Sequence, residues 1–181
     1  MEWGFAVLAA ALGIWGIWIY NRLVKKRNRV ATAWSDIDVQ LTRRHDLVPN
    51  LVDTVAAYAD HERETLDKVT RLRSEAVASE SPAKLGRIEN ELEQLLGRLF
   101  MLKESYPDLK ASENFARLQK DLVDVENQLL YARRYYNGAV RDLNTRIDQF
   151  PDLLIARVFR FTPAEFYSAE AGHRRAPSVQ A

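Results

Sequence analysis

The chain has 181 residues, and its 26 Lys and Arg against 25 Asp and Glu give a formal net charge of +1. So even a balance gives no ground for a polyanionic partner, nucleic acid included. The absence of cysteine excludes disulfides, thiol chemistry and zinc ribbons.

Residues 3–20, WGFAVLAAALGIWGIWIY, carry no charged side chain. As a helix they reach about 27 Å at about 1.5 Å per residue, close to the ~30 Å hydrocarbon core of a bilayer. Trp3 lies at one end and Trp15, Trp18 and Tyr20 towards the other, in the manner of interfacial aromatic belts. Arg22, Lys25, Lys26, Arg27 and Arg29 follow at once. Basic residues stay on the cytoplasmic side and meet anionic headgroups. A cleaved signal peptide fits poorly, because Glu2 and no base precedes the run and no small-x-small site follows it. A buried globular helix is the other alternative. The reading is a single-pass anchor at 1–20 in the inner (cytoplasmic) membrane with the N-terminus outside. A cytoplasmic helical bundle at 21–167 and a mobile tail at 168–181 complete it.

After the anchor the apolar residues keep helical spacing: Val30, Trp34, Ile37, Leu41, Val48, Val52, Val55, Ala59, Leu66, Val69 and Leu72. No linker rich in glycine or proline intervenes, so the anchor is expected to run directly into the first bundle helix. Pro49 interrupts the stripe, and proline inside a helix costs about 3 kcal/mol. A straight helix from 21 to 78 would reach about 87 Å, far beyond what a second helix at 82–105 (about 36 Å) can cover. A third at 112–149 would run about 57 Å. This length mismatch predicts a sharp bend or hairpin at His45–Pro49, with Asp46 capping a new helix. The fold expected is all-α, an antiparallel four-helix up-and-down bundle. A continuous helix would instead require another subunit to cover Val30–Leu41.

Ser81-Pro82 reads as an N-cap with proline at the first helical position, opening the stripe Leu85, Ile88, Leu92, Leu95, Leu99 and Leu102. Tyr106-Pro107-Asp108 marks a turn. Ser112 caps the stripe that runs from Phe115 through Leu129 and Tyr136 to Ile147. A short helix is expected around Leu153–Phe159. No segment alternates with period two, so no sheet is expected.

Catalytic signatures are missing: there is no phosphate-binding glycine loop and no nucleophile elbow. A di-metal carboxylate bundle needs two E-x-x-H pairs. The chain has one such spacing, Glu170 to His173, in the expected tail. Glu89 and Glu93 share a helix face and read as solvated. Asp38, Arg44, Asp46, Pro49 and Asn50 flank the proposed bend, and Glu126, Arg133 and Asn137 line one side of the last long helix. Interhelical ion pairing that fixes register is the first reading of these groups, and a partner site the second. Tyr131, Tyr135 and Tyr136 read as packing residues.

These residues carry a resemblance. Tyr20-Asn21-x-Leu23-Val24, Ala33-Trp34-x-x-Ile37-Asp38-Val39-Gln40-Leu41 and Arg43-Arg44-x-Asp46-Leu47-Val48-Pro49-Asn50 closely resemble the opening of the LemA family. The match resumes at Tyr58 and His61-Glu62, at Glu104-x-Tyr106-Pro107-Asp108-Leu109-Lys110-Ala111, at Glu126-Asn127, and at Ala132-Arg133-x-Tyr135-Tyr136-Asn137. The chain departs at its end, where Pro177-Ser178-Val179-Gln180-Ala181 lacks the aromatic of a P-x-V-x-F close. The resemblance implies a bacterial single-pass membrane protein with a cytoplasmic four-helix bundle, associated with membrane stress and membrane peptidase systems. It implies no enzymatic activity and no cofactor.

The function expected is therefore a non-enzymatic, membrane-anchored scaffold or adaptor with coiled-coil-like helices. Its partners would be the lipid bilayer and a second copy or another membrane protein. No metal, nucleic acid or small-molecule substrate is identified. A metal- or ligand-binding bundle enzyme built on Asp46, Glu126 and Arg133 is the rival, and a membrane-surface sensor using Arg22–Arg29 is a third reading.

Overall fold

A computed structural model describes residues 2–167. The expected tail, with Glu170, His173 and the divergent close, lies outside them. Among the described residues the chain is all-helical, with no strand. The helices are α1 (Glu2–Ala56), α2 (Arg63–Val77), α3 (Pro82–Met101), α4 (Pro107–Lys110), α5 (Glu113–Asp148) and α6 (Asp152–Val158), with single 3-10 turns at Asp60–Glu62 and Leu102–Glu104.

The predicted caps form. Ser81 Oγ accepts from the Lys84 amide at 3.3 Å, with Pro82 in the first turn of α3. Ser112 Oγ accepts from the Phe115 amide at 3.3 Å at the start of α5.

The hairpin at His45–Pro49 does not form. α1 runs unbroken from Glu2 to Ala56 with Pro49 inside it, and Asp46 caps nothing. The physical reason is tertiary: Arg73 Nε donates to the His45 carbonyl at 2.7 Å, the carbonyl four residues before Pro49 that a proline cannot bond. The chain turns later, where the Tyr58 and Ala59 amides both bond the Val55 carbonyl and Ala59 is fully buried.

The chain divides into two compact units. Among the described residues, the first comprises 2–38 together with Leu130–Phe166. Its core takes Ile19, Leu23, Val30, Ala33 and Ile37 from α1, Tyr136, Ala139, Val140, Leu143 and Ile147 from α5, and Ala156 from α6. Trp34 and Tyr136 pack with ring centroids 5.3 Å apart. This corrects the alternative expectation that a continuous helix needs another subunit over Val30–Leu41: Val30, Ala33 and Ile37 are buried within this one chain. The second half of α5 belongs with the first part of α1. After α6 the segment to Glu165 is tied down by polar bonds. Asn144 donates to the Ala164 carbonyl (3.0 Å) and accepts from its amide (2.8 Å), and the Tyr136 hydroxyl donates to the Glu165 carbonyl at 2.8 Å.

The second unit comprises Val39–Leu129 together with Tyr167. Its core joins Leu41, Val48, Leu51 and Val55 of α1, Leu66, Val69, Leu72 and Ala76 of α2, Leu85, Ile88, Leu92, Leu95, Leu96 and Leu99 of α3, and Phe115, Leu118, Leu122, Val125 and Leu129 of α5. The sets from α2 and α5 recur at three- and four-residue spacing, and those from α1 and α3 keep the same face with a seven-residue step from Leu41 to Val48 and an adjacent pair at Leu95 and Leu96, the pattern of a helix buried along one face. Lys68 and Glu91 form an ion pair between α2 and α3 at 2.9 Å.

Candidate functional site

Two features stand out against this apolar background. One is an ionic network inside the second unit, and the other is the N-terminal end of the first.

The network begins with two adjacent residues of α1. Arg44 and His45 fall between Leu41 and Val48, where the helical repeat directs a side chain inward. Both are buried, and so is Glu89 of α3, whose exposure is 0%. Arg44 Nη1 donates to Glu89 Oε2 at 2.9 Å, and His45 Nε2 lies 2.6 Å from Glu89 Oε1. The second guanidinium nitrogen of Arg44 pairs with Glu126 of α5, which is part-exposed. One carboxylate thus accepts from two cationic or polar donors, and one guanidinium bridges two carboxylates. Three helices are joined by four side chains.

Burial is the largest single influence on Glu89 and pushes its carboxyl up. The hydrogen bonds and charges of His45 and Arg44 together outweigh it and hold the group below its ordinary value. The arrangement is not fully satisfied, since the Arg44 Nε is buried without a hydrogen-bond partner. Burying a carboxylate and a guanidinium demands such partners, because an uncompensated buried charge is strongly destabilising.

Glu89 corrects the sequence reading, which put it with Glu93 on a solvated face. His45, Glu89 and Arg73 were missed as members of one cluster. The signal was present in the spacing. Glu89 stands in register with Leu85, Leu92 and Leu96, and Arg44-His45 fills a gap in the apolar stripe.

Of the polar residues singled out from sequence, Arg44 and Glu126 meet. Asp46 and Asn50 are exposed, and Pro49 is partly buried. The Asn50 carbonyl accepts from Thr54 Oγ1 at 2.7 Å, and Thr54 Oγ1 in turn accepts from Asn114 at 2.9 Å. Asp38, Arg133 and Asn137 belong to the first unit, with Asp38 exposed and the other two partly buried. Among the described residues no three His, Asp or Glu side chains converge as a metal site would require.

At the other end, α1 is the one helix among the described residues that is long and apolar enough to cross a membrane, and its apolar stretch is almost wholly exposed. A soluble core helix would bury that surface. Trp3, Trp15 and Trp18 are exposed. The basic residues that follow have varied partners. Arg22 lies over the Trp18 ring at 5.1 Å and Arg27 over Phe161 at 5.4 Å. Lys26 pairs with Asp142 at 2.8 Å, and Arg29 donates to the Tyr135 hydroxyl at 3.1 Å. Lys25 is exposed, and Tyr20 is partly buried.

The fold and these two features define an all-helical protein with a helix able to cross a membrane and a buried ionic network among its core helices. A family model described as the LemA family matches residues 33–180, and the chain belongs to that family. It is similar to Protein LemA of Metamycoplasma hominis, with 29% identity over 134 residues, covering 72% of this chain and 60% of the relative. It is also similar to Magnetosome protein MamQ 2 of Paramagnetospirillum magneticum (25% identity) and Magnetosome protein MamQ of Magnetospirillum gryphiswaldense (23%), each over 177 residues, 82% of this chain and 64% of the relative. The chain spans less than two thirds of the length of these curated relatives.

Proposed function

We propose that this protein is a membrane-anchored scaffold or adaptor. Residues 3–20 cross the inner membrane with the N-terminus outside, and the helical body in the cytoplasm folds as an antiparallel four-helix bundle that presents surfaces to a second copy or to another membrane protein. The observation that carries this reading is the exposure of the uncharged N-terminal stretch of α1, in a helix that continues unbroken into packed core. A helix that leaves that much apolar surface uncovered needs a lipid environment.

Several features favour a platform over a catalyst. The inward-facing carboxylate Glu89 is engaged by Arg44 and His45, so its lone pairs serve structure. Asp46, required by the bundle-enzyme reading, is exposed. The relatives named above carry no enzyme name. The link to membrane stress or membrane peptidase systems rests on the family resemblance and belongs to the same proposal.

In-membrane crosslinking tests the reading. A photo-crosslinker at exposed Asn50 or Tyr131 should capture a second copy or a membrane protein in intact cells. A chain that is monomeric after detergent extraction and captures nothing from either position overturns the scaffold reading.

A further inference from the structure

We propose that α6 and its flanking residues form a second membrane contact, a short interfacial segment seated in the cytoplasmic leaflet beside the anchor. This rests on the reading of residues 3–20 as a membrane span.

Depth is the first argument. A Cβ built on Gly16 would lie 3.7 Å from Ile155 Cδ1, and Gly16 stands within the uncharged run. One turn further on, the Tyr20 ring packs against Phe159 with centroids 4.7 Å apart and against Phe161 at 5.8 Å. These contacts fix α6 alongside the last turn of the apolar stretch. If residues 3–20 lie in hydrocarbon and Arg22 lies among headgroups, α6 shares the boundary between them.

Surface chemistry is the second. A short helix at the end of a soluble domain would turn polar side chains outward. Instead Phe150, Leu154, Val158 and Phe159 are exposed, Val158 at 73%. Leu154, Val158 and Phe159 border the contacts that this segment makes with Gly16 and Tyr20, near the exposed Trp15 and Trp18 of α1.

Charge is the third. Arg157 and Arg160 are exposed on the same segment, whereas Asp152, the one acidic residue from Phe150 to Ala164, is buried and paired with Arg146 at 3.4 Å. Arg160 occupies left-handed backbone, φ 54°, a position where glycine is the relaxed choice. An apolar flank with a cationic rim, bounded at either end of the segment by the exposed Asp148 and Glu165, matches an anionic lipid interface at the level of α6 itself. The occupant is therefore the bilayer.

The chain has no cysteine, so single-cysteine variants carry one label each. Nitroxides at Trp18→Cys, Val158→Cys, Phe159→Cys and Tyr131→Cys are compared in the full chain, reconstituted in phosphatidylcholine–phosphatidylglycerol vesicles. Accessibility to oxygen, which partitions into lipid, is set against that to a water-soluble nickel chelate. Labels at 158 and 159 should favour oxygen as the label at 18 does, while the label at 131 favours nickel. An oxygen-favouring label at 18 with nickel-favouring labels at 158 and 159 overturns this inference and leaves the anchor standing. A nickel-favouring label at 18 overturns the anchor and the inference with it. Labels at 158 and 159 shielded from both reagents mean a protein cover, which also overturns it. Arg157→Glu with Arg160→Glu should shift the 158 label towards nickel in anionic vesicles and less in neutral ones. An equal shift in both would remove the headgroup role.

Discussion

Arg73 of α2 donates its Nε–H to the backbone carbonyl of His45 at 2.7 Å, replacing the bond that Pro49 cannot make. A proline in mid-helix removes one amide and leaves one carbonyl unpaired. Here a neighbouring helix supplies the missing donor, so the proline becomes a point of attachment between α1 and α2 where a break was expected.

The Arg73 bond is therefore tied to Pro49, and a double-mutant cycle should expose the link. Arg73→Met in the native chain leaves the His45 carbonyl without a donor and should lose about 1–3 kcal/mol. In a Pro49→Ala background the alanine amide can bond that carbonyl, and the same substitution should lose clearly less. Urea unfolding of the four proteins in detergent measures both. Equal losses in the two backgrounds would mean that Arg73 stabilises by some other contact.

Glu89 stands at the centre of the buried network, and removing it alone should be severe. Glu89→Leu leaves the buried Arg44 with Glu126 as its one remaining carboxylate in the network, with an expected loss of about 3–5 kcal/mol. Replacing Arg44, His45 and Glu89 together by Met, Leu and Leu should cost far less in thermal denaturation than Glu89→Leu alone, since the fully buried charges leave together, the orphaned Arg44 Nε disappears with them, and only the part-exposed Glu126 loses its Arg44 pair. If that folded triple variant also kept its crosslinking pattern in cells, the network would serve structure alone. Loss of crosslinking in a stable triple variant would assign it to partner recognition.

How far the sequence spoke depends on the kind of signal. The starts of α3 and α5 were legible because Ser81 and Ser112 are local caps with a single-residue mechanism. The end of α1 was not, because neither glycine nor proline marks residues 57–62 and the turn depends on tertiary packing of Ala59. Pro49 misled because its breaking tendency is local, while its remedy, Arg73, lies 24 positions further along the sequence. Glu89 was read as solvated because charge type was weighed above its register with Leu85, Leu92 and Leu96. The partner of a buried charge lies elsewhere in the chain, out of reach of local periodicity.

Arg160 ends α6 in a Schellman-type turn: the Phe161 amide bonds the Ala156 carbonyl at 2.9 Å and the Arg160 amide bonds the Arg157 carbonyl at 3.2 Å. Its φ of 54° is strained for a residue with a Cβ, by roughly 1–2 kcal/mol. Arg160→Gly should therefore raise the melting temperature in neutral detergent, and Arg160→Val should lower it. An unchanged melting temperature for both would mean that the turn forms independently of that residue.

Acid should weaken the second unit through Glu89. Its folded carboxyl is held below its ordinary value of 4.5, so the unfolded chain takes up its proton first as pH falls. The stabilisation is fully present above that ordinary value and is lost as pH falls through the lower folded one. Asp142 acts in the same direction, held down chiefly by the Lys26 hydrogen bond, but it is half-exposed and its effect is small. Unfolding midpoints measured from about pH 7 to about pH 3 should stay level with respect to these groups until roughly pH 5 and then fall. Glu89→Gln should be less stable at neutral pH and show a shallower fall in acid, because the proton-linked part of the stability has been removed. Parallel pH profiles for the two proteins would mean that Glu89 does not carry the acid sensitivity. The slope would then lie with the exposed ion pairs, and added salt should flatten it.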